Sequence, residues 1–497
     1  MWINIHLPSG RSTCLWASES SRISDLLLTA GHQLGVCIGS FITSNGHLLQ
    51  SATRAEEALK CGDSLTAVVQ SSKVASCDSA FVLIQTDGSV MVLGGKKDWV
   101  RPKQLQNVQE VQSTCEAFAA LKHDGTVVAF GNPEAGGDSG SLQLEAVEEI
   151  QATASAFAAI KTDGTVLTWG QSKCGGDSYG VKDRLTKVKK LQSTRKAFAA
   201  LLRNGTVVSW GDDYVGGDSS RVQSQLEDVK EIQASNCAFA AILANGCVVT
   251  WGRPNGGGDS SKVTDMLKNV KEIQASHMAF AALLADETVV TWGHPWWGGD
   301  SSTVSDRLRG VKQLQSSGRS FAAVLSDGGV VTWGDPERGG NSNEACLPGS
   351  GVVALQASEG AFAALLSSGR VVTWGLAEDG GYSGAVQEEL HGVEQIQATQ
   401  HAFAALRQDR TVVAWGNPIC GGDYSSVREK LRDVIQIQAS STAFAALLQD
   451  GNVVCWGGCK SFGSYWTQQP ADGRDDIGLK RRKMTSAIRL PDRIFDV

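Results

Sequence analysis

Between Val74 and Gly457 the chain returns ten times to one pattern of apolar and polar positions. In the copy Val270–Asp300, Lys271-Glu272-Ile273-Gln274-Ala275 alternates polar and apolar side chains, the mark of a half-buried strand. Ala279-Phe280-Ala281-Ala282-Leu283-Leu284 is continuously apolar and predicts a second strand covered on both faces. Its alanines are small enough to let neighbouring sheets approach closely. Sister copies continue with Asp-Gly or Asn-Gly, as at Asp163-Gly164 and Asn204-Gly205, a strong hairpin signal. Thr288-Val289-Val290-Thr291-Trp292 supplies a third strand, β-branched and ending in an aromatic that can pack between copies. Gly298-Gly299-Asp300-Ser301-Ser302 predicts a turn. Val304, Leu308 and Val311, at i, i+4 and i+7, then predict about two turns of helix.

The glycine that closes each copy falls at Gly94, Gly131, Gly170, Gly211, Gly252, Gly293, Gly334, Gly375, Gly416 and Gly457. From Gly170 onward every interval is 41 residues. A period of about 20–50 residues defines a solenoid, propeller or array, because one such unit cannot bury its own apolar face. The fold class expected is mainly β: a propeller-like array of ten three-stranded units joined by short helices. The pattern leaves open a ten-unit ring, a seven-unit ring with extra units, two smaller rings or an open superhelix. A second region precedes the repeats. Ile3 and Ile5 alternate, Pro8-Ser9-Gly10 marks a turn, and Thr13 to Trp16 returns as a strand. Ile23, Leu26, Leu27, Ala30 and Leu34 form a helical stripe after Ser20-Ser21, a candidate cap, with Gly35 as its stop. Phe41-Ile42, Leu48-Leu49 and Leu65 to Val69 predict three more short strands. The domains expected are 1–70, the repeats at 71–457, and a flexible tail at 458–497, turn-rich from Pro470 to Asp476.

Composition narrows the function classes. The net charge of −7 gives no electrostatic reason to expect nucleic acid or an anionic membrane. No run approaches the roughly 18 apolar residues of a membrane span, and the N-terminus lacks a signal-peptide pattern. The twelve cysteines have no paired spacing and read as reduced thiols, which suggests the cytosol or nucleus. Cys455 and Cys459 have no second pair to complete a zinc site, and the eight histidines show no metal-ligand spacing. Lys480-Arg481-Arg482-Lys483 could serve as a nuclear address or stand as a solvated basic patch.

The string VKEIQASHMAFAALLADETVVTWG resembles the regulator-of-chromosome-condensation repeat, which implies a β-propeller. The short units are similar to the three-stranded blades of the bacterial β-lactamase-inhibitory propeller. The family's Gly-x-x-His loop is Ser-x-x-Ala here, as in Ser276-His277-Met278-Ala279, and its Gly-Gln-Leu-Gly is Gly-Gly-Asp-Ser-Ser. No unit carries the extra hairpin used by the family's nucleotide-exchange member. The order strand, turn, strand, helix, strands over the first seventy residues looks like ubiquitin and its β-grasp relatives. The terminal Gly-Gly is missing, and the positions matching ubiquitin's receptor patch are Pro8, Thr43 and Val68.

The Asp of Gly-Gly-Asp-Ser, at Asp138, Asp177, Asp218, Asp259, Asp300 and Asp423, fits a turn or cap better than a cation-binding circle. No phosphate-loop or serine-nucleophile string occurs, and the forty residues after Gly457 are too few for a HECT-type ligase domain. The expectation is a protein without catalytic centre, cofactor or metal. What varies is the loop tips: Arg195-Lys196, His277-Met278 and Glu359-Gly360 between the first two strands, and Asp212-Asp213-Tyr214-Val215 or His294-Pro295-Trp296-Trp297 after the aromatic-Gly pair. A fixed scaffold with changing tips is how repeat proteins build binding surfaces, although neutral drift would vary exposed tips as well. Trp296 and Trp297 are the expected partner anchors, flanked by Arg253 and Arg338, with Tyr214 on a neighbouring unit. The function expected is a cytoplasmic interaction scaffold that binds another protein through these tips. The alternative is a regulatory component of a ubiquitin-ligase or small-GTPase exchange pathway, with partners from those pathways, as the resemblances imply.

Overall fold

The computed structural model describes residues 1–458 except 8–11, 19–20, 35–37, 46, 48, 50–52, 70–72, 78–79, 85–88, 95–104, 343–350 and 451. Pro8-Ser9-Gly10, Ser20, Gly35, Leu48, Cys459 and the tail with its basic cluster lie outside the described residues.

In the N-terminal region β1 (Trp2–His6) pairs antiparallel with β2 (Ser12–Trp16). Helix α1 (Ile23–Leu34) follows, then β3 (Ile38–Thr43), a single turn α2 (Ala55–Ala58) and β4 (Ser64–Val69). The sheet order is β2-β1-β4-β3, with β1 and β4 parallel. Ile3, Ile5, Leu15, Leu65 and Phe41 from the sheet meet Ile23, Leu26, Leu27 and Ala30 of the helix in one core. Two details depart from expectation. Leu49 forms no strand; its backbone N–H bonds Phe41 O, and its side chain packs on the core. Ser21 Oγ bonds Ser18, and the start of α1 is held instead by Asp25, whose Oδ2 accepts from Arg22 N–H at 2.8 Å.

Ten three-stranded antiparallel sheets follow, one per repeat. In unit six the inner strand is Val270–Ala275, the middle strand Ala279–Leu284 and the outer strand Val289–Gly293. The middle strand is buried along its whole length, as its composition requires. Ala279, Ala281 and Leu283 face unit seven and receive Phe321 and Trp333, while Phe280, Ala282 and Leu284 face unit five against Ala238 and Ala240. Each interface thus fits an aromatic pair of one unit onto the alanine face of the unit before it.

The tryptophan of the Trp-Gly pair lies inside this interface. Trp333 is 3% exposed, stacks on Phe321 with ring centroids 5.4 Å apart, and donates its indole N–H to Gly298 O of unit six at 3.0 Å. The same bond recurs from Trp169 to Trp456. It gives the Gly-Gly pair its purpose. Gly216 has φ +103°, and a Cβ there would sit 2.6 Å from the ring of Phe239 in the next unit. The aspartate after six of these pairs closes a turn, and Asp218 Oδ1 accepts from Ser220 N–H at 2.8 Å. The backbone N–H and hydroxyl of the following serine hold the carboxyls of Asp218, Asp259, Asp300 and Asp423 below the usual carboxylate range.

The predicted short helix is 3-10 rather than α: it makes two turns at Ser220–Gln225 but only one at Ser305–Arg307, and Val311 already begins the inner strand of unit seven. Leu308 is buried and Val304 partly so; their four-residue spacing, set by a tight turn, imitates a helical stripe. A second 3-10 turn, absent from the expectation, follows most outer strands, as at Pro295–Trp297 and Pro336–Arg338.

The array closes. Ala443 and Ala445 of unit ten pack against Leu83 of unit one, which takes the place that Ala323 of unit seven holds against Ala279 and Ala281 of unit six. Ser441 Oγ hydrogen-bonds Ser76 Oγ, and Ser441 N–H donates to Ser76 Oγ at 3.1 Å, across 365 residues of sequence. The fold is a mainly β, propeller-like ring of ten units.

Candidate functional site

Antiparallel pairing puts the end of each inner strand, the start of each middle strand and the end of each outer strand at the same edge of the sheet. Ala279, for example, pairs with Gly293. Two variable loops of every unit therefore share one face of the ring. The first is the Ser-x-x-Ala turn. Its hydroxyl is structural: Thr153 Oγ1 accepts from Ala156 N–H at 3.1 Å and donates to Cys174 O at 2.9 Å. The two residues between are left free to vary.

The first of those two residues joins unit to unit. His277 N–H donates to Gly318 O, Gly318 N–H to Glu359 O, Glu359 N–H to Gln400 O and Gln400 N–H to Ser441 O, at 2.7–3.0 Å. The same bonds run from Cys115 through Ala154, Arg195 and Asn236 to His277. Eight strand-like spacings of about 4.8 Å link these nine positions along the rim of a ten-unit ring, a circle roughly 15 Å across, so these side chains converge on the channel mouth. The nine positions hold nine different residue types: Cys115, Ala154, Arg195, Asn236, His277, Gly318, Glu359, Gln400 and Ser441. Two residues further on, the chain is Ala-Phe-Ala-Ala in all but one of these units.

His277 Nε2 meets a Glu359 carboxylate oxygen at 3.2 Å, reaching over unit seven. Gly318 permits this, since a Cβ there would collide with the Glu359 carboxylate. The pair bounds two spaces in the channel mouth. A cavity of about 1020 Å³ lies toward units seven to ten and on to units one and two, and one of about 690 Å³ toward units three to six.

Outside the mouth a chain of charged and aromatic groups crosses units six to nine. Arg319 lies 4.5 Å over the Trp297 ring and 3.8 Å from Asp335. Arg338 reaches Asp335 and Asp379, each at 3.8 Å. His401 Nδ1 lies 2.7 Å from Asp379 Oδ1, while Asp379 is only 4% exposed. On units three and five, burial pushes the thiols of Cys174 and Cys237 up from the usual thiol range. Deeper in the ring Glu149 is also raised, by burial and then by the charge of Glu110.

All five residues singled out in the sequence lie on this same face, in or beside the 3-10 turns that follow the outer strands. They form pairs rather than one cluster. Arg253 lies 5.4 Å over the Tyr214 ring, joining units four and five. Trp296 is 68% exposed at the tip position that Tyr214, 62% exposed, holds two units earlier. Trp297 turns inward, half-buried under Arg319 and against His277, and packs on the core between units six and seven. Arg338 is held in ion pairs toward unit eight. Sequence reasoning did not single out His277, Arg319, Glu359, Asp379 or His401 as a network. Their departure from the repeat was visible, but their convergence needs the ring.

No family model and no curated protein matches the chain. Solved structures with a likeness to it include the ectodomain of the Physcomitrella patens receptor kinase CR4, at 16% identity and TM-score 0.31, covering 53% of this chain and 70% of that one. The ectodomain of the Arabidopsis thaliana receptor kinase ACR4 is 15% identical at TM-score 0.31, covering 52% and 90%. Prp20p from Saccharomyces cerevisiae, whose structure was described with its binding to Gsp1p and histones, is 15% identical at TM-score 0.30, covering 55% and 72%. Likenesses this distant carry no argument about partner or activity.

Proposed function

We propose that this chain is a non-catalytic interaction scaffold whose ring presents one variable face to a partner protein. One observation carries the reading. Near-identical units hold their diverging residues at the same edge, so ten copies of one structure present a face that no two units share. Exposed aromatic area on that face is concentrated at Tyr214 and Trp296, with Arg253 stacked between their units. Tyr214 also lines a groove of about 800 Å³ between units four and five. Aromatic residues with a charged rim have the anatomy of a binding hot spot. Trp297 and Arg338 support this surface from beneath and beside it. The parallel β1/β4 pair and the packed α1 favour reading residues 1–70 as a separate ubiquitin-like module, with 71–457 as the ring.

Replacing Trp296 and Tyr214 with Ser is expected to leave melting unchanged, since both side chains project into solvent. Partner affinity is expected to fall by about 2 kcal/mol or more, roughly thirtyfold. Quantitative affinity capture with wild type and the double variant in parallel tests this. The proposal fails if the proteins retained are the same in kind and amount for a double variant that melts like wild type.

A further inference from the structure

Arg195 sits in the smaller lobe of the channel mouth and has no anionic partner among the described residues. The other charges there are engaged: Glu359 with His277, and His401 with Asp379. Asp212, on the loop after the outer strand of the same unit, accepts from Tyr214 N–H at 3.0 Å. Arg195 is held by its backbone, whose N–H bonds Asn236 O and whose carbonyl accepts from Ala154. Asn236, the next residue of the belt, brings an amide into the same lobe. The remaining walls are short, with Ala152, Thr153 and Ala154 on one side. At about 690 Å³ the space has the volume of small-ligand sites, but it is open to solvent and Arg195 on its wall is exposed.

We propose that this lobe binds a carboxylate, with the Arg195 guanidinium as its counter-ion and the Asn236 amide as a second donor. A guanidinium fork matches a carboxylate with two parallel hydrogen bonds. One unpaired positive charge balances one negative charge. A phosphate carries more charge than the lobe compensates, and Glu359 on the far wall would repel the excess. The carboxylate can come from a small free acid or from the C-terminus of a peptide chain entering the mouth. This site is distinct from the outer tips, so the Trp296 and Tyr214 variants leave it intact.

The test is an NMR titration of the full chain, selectively labelled at arginine, read at the side-chain Nε–Hε signals. The probes are succinate, the tripeptide Gly-Gly-Gly with a free C-terminus, its C-terminal amide, and inorganic phosphate. Succinate or the acid tripeptide is expected to shift one arginine signal saturably, and the acid that does so identifies the source. Arg195→Gln should remove that signal, and calorimetry should show affinity weakened at least tenfold. Lys196→Gln, next in sequence but outside the lobe lining, should bind as wild type. The proposal is overturned if neither acid binds saturably, if Arg195→Gln binds them as well as wild type, or if the amide or phosphate binds as tightly as the acids.

Discussion

Trp333→Ala is expected to destabilise the ring by about 3–5 kcal/mol, the usual result of deleting a large buried aromatic. The indole is 3% exposed and fills the space between Phe321 and the alanine face of unit six. Its loss opens a cavity and leaves Gly298 O without its indole donor. Because each unit is stable only against its neighbours, the damage extends beyond one sheet. The expected readout is a clear drop in the melting temperature by circular dichroism. Melting within a degree of wild type would show that the Trp-Gly pair does not hold units together.

Gly216→Val is expected to have an effect of similar size through a different cause. At φ +103° a β-branched residue is strained by roughly 1–2 kcal/mol. The added side chain also enters the ring of Phe239, which is fully buried. Overpacking of this kind costs about 1–3 kcal/mol more. The variant should appear as poor soluble yield or a lowered denaturation midpoint. The exposed Gly180, with nothing within 4 Å of an added Cβ, is the matched control. Equal stability of Gly216→Val and Gly180→Val would contradict the interlock between units.

The sequence revealed most where a pattern repeats. Alternation and apolar runs placed the three strands of each unit, and Val-Val-x-Trp-Gly announced a buried tryptophan before any contact was known. The stripe Val304, Leu308, Val311 was overread because a 3-10 turn leading into a strand can bury residues four apart without a helix. Closure was not legible. A period fixes what one unit is, whereas the number in a ring depends on the small rotation between neighbours, which no single residue encodes. The channel-mouth network was hidden for the same reason: His277 and Glu359 stand 82 positions apart and meet only because the ring curves and Gly318 lies between them.

The difference between Trp296 and Trp297 did leave a signal. Aligned on the closing glycine, Trp297 falls where sister units place Ala135, Cys174 and Cys420, all buried. Trp296 falls with Tyr214 and Ile419, both exposed. The alignment of units therefore separates a supporting tryptophan from a presented one.

Everything said of the variable face and the channel mouth depends on unit ten meeting unit one. Cysteines placed at Ser76 and Ser441, whose hydroxyls touch across the closing interface, test this directly. After mild oxidation and proteolysis, mass spectrometry of the monomer should show the two sites joined by a disulfide in most molecules. Free thiols at both sites, or disulfides found only between chains, would mean that the ten units form an open array.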